Sequence, residues 1–224
     1  TGRQADYFGR PFNTYSALVG LCGMSMGQLG RFEEGEALCE KAVRFDRQVD
    51  NRYSIAQEET FYGALLALKG DAQRALEHLQ EAVRYSEATH FVLMLGAVYA
   101  ALGMAHAQIG DLEAALKYLE KGIQLCSDTG VRNLLSMYYA YLGLVHSLSG
   151  DLKSAQRDEE EALKLAQEGK NKSGEGLSRI FLGSILGAAD ASRSAEAEEH
   201  ILQGIKLLEE LKLRPMCSMG YFYL

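Results

Sequence analysis

The residues in this chain that could do chemistry are few, and their spacing suits none of the usual reactions. His106 and His146 each stand three residues after a glycine, Gly103 and Gly143, so they occupy one place in two similar stretches. Two imidazoles alone make half of a tetrahedral metal site, and no cysteine or carboxylate in the pattern completes it. Stacked core histidines are the expected arrangement. His78 and His200 lack an E-x-x-H companion, and His90 opens a helix. Gly169-Lys170-Asn171-Lys172-Ser173 has the composition of a phosphate loop. Such a loop needs its lysine followed directly by Ser or Thr, an earlier glycine and a preceding strand. All three are missing, and the segment reads as a linker. Gly174-Glu175-Gly176 fails as a dinucleotide loop, because Arg179 stands where the last glycine should be. The serines have no G-x-S-x-G setting, and no nucleophile can be paired with a base. Cys22, Cys39, Cys126 and Cys217 are far apart and form no C-x-x-C pair, which argues against a disulfide framework or a zinc site and suits a reducing cytosol. No enzyme activity, cofactor or metal is expected.

Bulk properties narrow the partners. The 224 residues are 47% hydrophobic and carry a net charge of -7, a field that opposes nucleic acid and anionic membrane. Phe91 to Gly110 contains no formal charge and is about long enough to span a bilayer. It also contains His106, Gln108 and several alanines, so a helix buried by its neighbours is expected rather than a membrane span. Asp158-Glu159-Glu160-Glu161 should form a solvated outer face, with a basic partner docking there as the alternative. Tyr138, Tyr139 and Tyr141 cover more than one face of a helix, so at least one should be partly exposed.

A repeat organises all of this. Gly23, Gly63, Gly103, Gly143 and Gly183 recur at an unbroken spacing of 40 residues, enough for two helices per copy. The first helices should run from Pro11 to Leu29, Ile55 to Lys69, Phe91 to Ile109 and Val131 to Ser149. The second helices should cover Glu33 to Arg47, Gln73 to Tyr85, Glu113 to Cys126 and Lys153 to Gln167. Gly70-Asp71, Gly110-Asp111 and Gly150-Asp151 join them: the glycine gives a left-handed stop, and the aspartate caps the next helix. The fifth copy has a two-residue insertion in its turn, and its second helix should run from Glu196 to Leu211. Thr1 to Arg10 reads as the tail of an earlier helix. Met216 to Leu224 reads as the start of a sixth pair, as if the chain were cut from a longer protein. Repeats of 11–50, 51–90, 91–130, 131–170 and 171–214, with 215–224 partial, make one all-α solenoid of antiparallel helix pairs. Glycine in mid-helix costs about 1 kcal/mol against alanine. Its recurrence, with Gly35, Ala75, Ala115 and Ala155 twelve residues on and Ala42, Ala82, Gly122 and Ala162 seven beyond, implies close backbone crossings.

This arrangement resembles the tetratricopeptide repeat (TPR), with a period of 40 residues against the family's usual length of about 34 and without its proline at the end of the second helix. Longer repeats of this kind are similar to those in bacterial signalling proteins, namely class III nucleotide cyclases fused to ATPases and maltose-activator-type regulators. Glu209 to Pro215 carries the likeness to the cyclases. The resemblance implies a right-handed superhelix whose first helices line a concave groove for an extended peptide or partner helix. It implies a cytoplasmic scaffolding or regulatory arm of a larger protein. Carried over by offset from the repeat glycine, the protein-binding residues are Ala100, Met104, Met137, Ala140, Leu144 and Leu177. No lysine or asparagine stands at these offsets to clamp a terminal carboxylate, so an apolar helix or peptide is the expected partner. The face could equally be narrow and self-packed. A small-ligand or peptide sensor controlling an attached cyclase, ATPase or DNA-binding domain is the alternative. Self-association through Tyr221, Phe222, Tyr223 and Leu224 is also expected.

Overall fold

In the computed structural model, residues 11–132 and 134–224 are described, and they form eleven α-helices with no strand among them. The reading of Thr1 to Arg10 as a helix tail lies outside the described residues. The helices are α1 (Thr14–Gln28), α2 (Phe32–Gln48), α3 (Arg52–Lys69), α4 (Ala72–Ala88), α5 (Val92–Gln108), α6 (Leu112–Thr129), α7 (Leu135–Leu148), α8 (Leu152–Glu168), α9 (Lys172–Ala189), α10 (Ser194–Glu210) and α11 (Arg214–Tyr223). Their contacts gather into two units divided between Ile109 and Gly110.

Local chemistry explains the boundaries. Gly30, Gly70, Gly110 and Gly150 all have positive φ, between 80° and 91°, and Asp71, Asp111 and Asp151 accept the amide of the residue three further on. The glycine-aspartate turns therefore work as the sequence implies. A second left-handed position also repeats: Asp50, His90, Gly130, Lys170 and Lys212 have φ of 50° to 73° where one pair passes to the next. The first helix departs from expectation. Asn13, not Pro11, opens it, accepting from the Tyr15 and Ser16 amides at 2.9 and 3.1 Å. In the fifth pair the insertion becomes a 3-10 turn, Ala191–Arg193, that feeds α10.

Asparagine caps serve the passages between pairs. Asn51 accepts from the Ser54 amide at 3.0 Å and donates to the Pro11 carbonyl at 3.3 Å. Asn51→Ala should lower unfolding stability by about 1–2 kcal/mol in urea titration, the usual cost of a lost cap.

The small-residue lattice is a packing device. A Cβ at Gly23 would stand 2.8 Å from the Gly35 carbonyl, and one at Gly204 would stand 2.5 Å from the Gly176 carbonyl. Ala75, Ala115, Ala155, Ala42, Ala82 and Ala162 are all fully buried. Gly174 and Gly176, which fail as a dinucleotide loop, lie buried in the first turn and a half of α9, with Gly176 seated against α10.

Candidate functional site

In the first unit α1, α3 and α5 pack against one another in succession, while α2 lies on α1 and α3, and α4 on α3 and α5. The first helices form one layer and the second helices another. Along α3 the residues left partly open recur as one stripe, Tyr53, Gln57, Phe61, Ala64 and Leu68. That spacing is a single helical face. The same register gives Ala17, Leu21, Met24 and Gln28 on α1, and Leu93, Ala97, Ala101, Met104 and Gln108 on α5, none of them buried. No residue of the stripe bears a charge.

The structure distributes the six carried-over residues unevenly. Met104 and Met137 are half-buried, whereas Ala100, Ala140, Leu144 and Leu177 are buried within their own units. For Ala100 and Ala140 the reason is visible on α1, where Gly20, at their offset, faces Glu58 and Phe61, and Gly27 faces Leu65; Leu144 and Leu177 stand at other offsets and are buried only in the second unit. Offsets three before and four after the repeat glycine point at the neighbouring first helix. The offsets that stay open are six and two before it, and one and five after it. Sequence reasoning found the first and third of these and missed Leu21, Phe61, Ala101 and Tyr141. In the second unit this register is partly closed: Phe181 is fully buried, with Tyr223 of α11 edge-on at 6.3 Å between ring centroids. Tyr138 is buried, and Tyr139 and Tyr141 are half-open, as the tyrosine spacing requires.

The acidic residues are the larger surprise. Asp158 and Glu159 are buried, so the run 158–161 is no solvated face, and only its second half, Glu160 and Glu161, reaches solvent. Asp158 is held by His146 Nδ1 at 2.7 Å and Arg157 at 2.9 Å. His146 therefore does have a carboxylate partner. Glu159 lies against Gly143, its oxygens make no hydrogen bond, and burial together with the Asp158 charge raises its pKa well above the usual range. In the first unit Asp46 accepts from Ser16 Oγ at 2.8 Å, and desolvation pushes it to about 7. Glu58 has no hydrogen-bond partner; burial, with Asp46 and Glu59 nearby, pushes it to about 9. Glu59 is also fully buried, but Arg47 and His78 Nδ1 hold its two oxygens, each at 2.6 Å. Nothing in the helical periodicity marked these acids as interior.

All four cysteines are free thiols, and burial pushes Cys39 up to about 12, so it does not react as a thiolate near neutrality. Among the described residues no group of three or more His, Cys, Asp or Glu side chains could hold a metal ion, and no helix is long and apolar enough to cross a membrane.

Comparison with known proteins agrees with the architecture. Solved structures with the same fold include a Rap protein complexed with Competence and Sporulation Factor: TM-score 0.70, 14% identity, 92% of this chain and 61% of that one. The chain thus spans less than two thirds of the Rap protein's length. A kinesin light chain repeat protein from Podosopora anserina matches with TM-score 0.58 and 17% identity over 88% of this chain and 98% of its own. A STAND signal transduction ATPase with a tetratricopeptide repeat sensor from Pyrococcus horikoshii matches with TM-score 0.64 and 15% identity, over 99% of this chain and 34% of its own. At these identities the likeness is one of fold. No curated protein matches the chain in sequence. The tetratricopeptide repeat model matches residues 54–128 and 94–168, together just over half of the 224 residues. With its paired helices, glycine-aspartate turns and small-residue crossings, the chain belongs to the tetratricopeptide repeat family, whose arrays serve as protein-interaction modules.

Proposed function

We propose that this array is a regulatory arm of a cytoplasmic signalling protein, and that it seats an apolar helix or peptide on the inner layer of its first unit. The observation that carries the reading is the uncharged stripe on α1, α3 and α5, with Phe61, Leu21, Leu68 and Met104 as its larger side chains. Water-facing helix surfaces are ordinarily charge-rich, as α2 and α4 are, so an open face without charge favours a partner that covers it. Methionine and small residues let such a face adapt to more than one apolar shape. Of the proteins with the same fold, the Rap protein is complexed with Competence and Sporulation Factor and the STAND ATPase carries a tetratricopeptide repeat sensor. Those two relatives in fold support a regulatory role for a bound segment here, and four free thiols suit a reducing compartment.

The test is a peptide selected from a random display library against the whole chain. Phe61→Glu should weaken its binding by about tenfold or more, because a buried unpaired charge opposes docking, with the circular dichroism of the chain unchanged. Equal binding by Phe61→Glu and wild type contradicts the reading. Ala100→Glu and Leu144→Glu do not serve, since both positions are interior. Tyr221, Phe222 and Leu224 are exposed, Phe222 by 83%, and offer an apolar surface for self-association. Light scattering should then show a concentration-dependent rise in mass that Phe222→Ser removes.

A further inference from the structure

A second, unlike surface lies on the other side of the first unit. Between α2 and α4 runs a valley of about 450 Å³, lined by Glu40, Val43, Arg44, Arg47, Tyr62 and His78. We propose that this valley is a binding site for a phosphomonoester, held by Arg44, Arg47 and His78, and distinct from the apolar inner face.

The groups are set in place from beneath. Glu59, buried on α3, takes Arg47 Nη2 with one oxygen and His78 Nδ1 with the other, each at 2.6 Å. This fixes the plane of the imidazole and leaves Nε2 as its remaining polar atom. It also fixes the guanidinium of Arg47, whose side chain is otherwise 53% exposed. Tyr62 lies against the His78 ring with centroids 4.1 Å apart, and its hydroxyl is tied by Arg74 at 2.9 Å, so the floor is aromatic and immobilised. Arg44 sits one helical turn before Arg47 and is held only loosely, 3.9 Å from Glu40 with both side chains 63% exposed. An oxyanion with stronger charge can take it from Glu40.

The fold does not ask for this cluster. At the register of Glu59 the other copies carry Val19, Tyr99, Tyr139 and Arg179, so a buried carboxylate is no requirement of the repeat. A buried ion pair gives little net stability over a well-packed apolar residue. At the register of Arg44 and Arg47, forty and eighty residues on, stand Arg84 and Glu87, then Gln124 and Ser127. The arginine pair belongs to this valley alone. Buried charge maintained by oriented donors where packing would do without it is a mark of a site.

The donor set selects the ligand. Two guanidinium forks a turn apart on α2 and, in its protonated form, the Nε2–H of His78 on α4 line the valley together, a donor set that suits the three terminal oxygens of a phosphomonoester better than the two of a carboxylate. The Tyr62 face and Val43 then suit an aromatic body on the ester. The ester could be a free metabolite or a phosphorylated side chain, and one experiment separates these sources.

Phenyl phosphate is the probe, titrated into the whole chain by calorimetry and by two-dimensional NMR of the histidine rings. Saturable binding that moves the His78 ring signals is expected, with benzoate weaker by about tenfold or more. Arg44→Ala, a change at an exposed side chain that leaves the core untouched, should weaken phenyl phosphate by at least about tenfold. Arg84→Ala should bind as wild type does. A phosphotyrosine peptide that binds more tightly than phenyl phosphate identifies a polypeptide source, and equal affinity identifies the free ester as sufficient; both outcomes support the site. Unmoved His78 signals, equal binding of benzoate, or unchanged affinity in Arg44→Ala overturns it.

Discussion

Raising the pH from about 5 to about 9 should destabilise the folded chain by about 3 kcal/mol, and Glu58→Gln should remove a substantial share of that slope. The folded state keeps Glu58 neutral because its carboxyl is buried and unpaired, with a pKa near 9 against 4.5 in the unfolded chain. Below pH 4.5 both states hold the proton, and stability is fully present. Above it only the folded state does, so each pH unit costs up to about 1.4 kcal/mol until the folded pKa is reached. Asp46, raised to about 7, acts in the same direction over a shorter span, and Glu159 does so in the second unit. Rearrangement and entry of water will reduce the sum, hence the smaller expected figure. Urea titrations of wild type and Glu58→Gln across this range make the comparison. The two should agree in stability near pH 5 and diverge as pH rises, with Glu58→Gln the more stable at pH 8. Parallel curves would show that Glu58 is not held neutral.

Gly183→Ala should lower stability by about 2–4 kcal/mol, although alanine is the better helix former by about 1 kcal/mol. The added Cβ would stand 2.6 Å from the Ala197 carbonyl and 2.7 Å from Ile201 Cγ1, so α9 and α10 must move apart. Overpacking against backbone has no flexible side chain to yield. Gly187→Ala, on the same helix, meets only the Ala197 Cβ at 3.4 Å and should be neutral or slightly stabilising. A loss for Gly183→Ala with no loss for Gly187→Ala in urea unfolding tests whether the repeat glycine exists for the crossing. A Gly183→Ala chain as stable as wild type would refute that reason.

The parts of this architecture that could be read from the sequence were those that use one residue type for one purpose. A glycine that admits a crossing and an aspartate that caps a helix recur visibly, so pairs, turns and period were all legible. The second left-handed position was not, because Asp50, His90, Gly130, Lys170 and Lys212 meet the same backbone demand with different side chains. The open stripe was found in part. The repeat offset places a residue on the first helix correctly, but whether offset two before the glycine or three before it stays open depends on how the next first helix lies across it. That is a tertiary fact, decided at Gly20 by Glu58 and Phe61. Burial of Asp158 and Glu159 was illegible for a related reason. Four successive acids suggest solvent, and only the positions of His146 and Gly143 show that two of them turn inward.

Amide hydrogen exchange of the whole chain, with and without a library-selected peptide, shows which helices of the first unit seat the partner. Added protection is expected on α1, α3 and α5 around Leu21, Phe61 and Met104, with α2 and α4 unchanged. Protection confined to α2 and α4, with the inner helices exchanging as in the free chain, would contradict it.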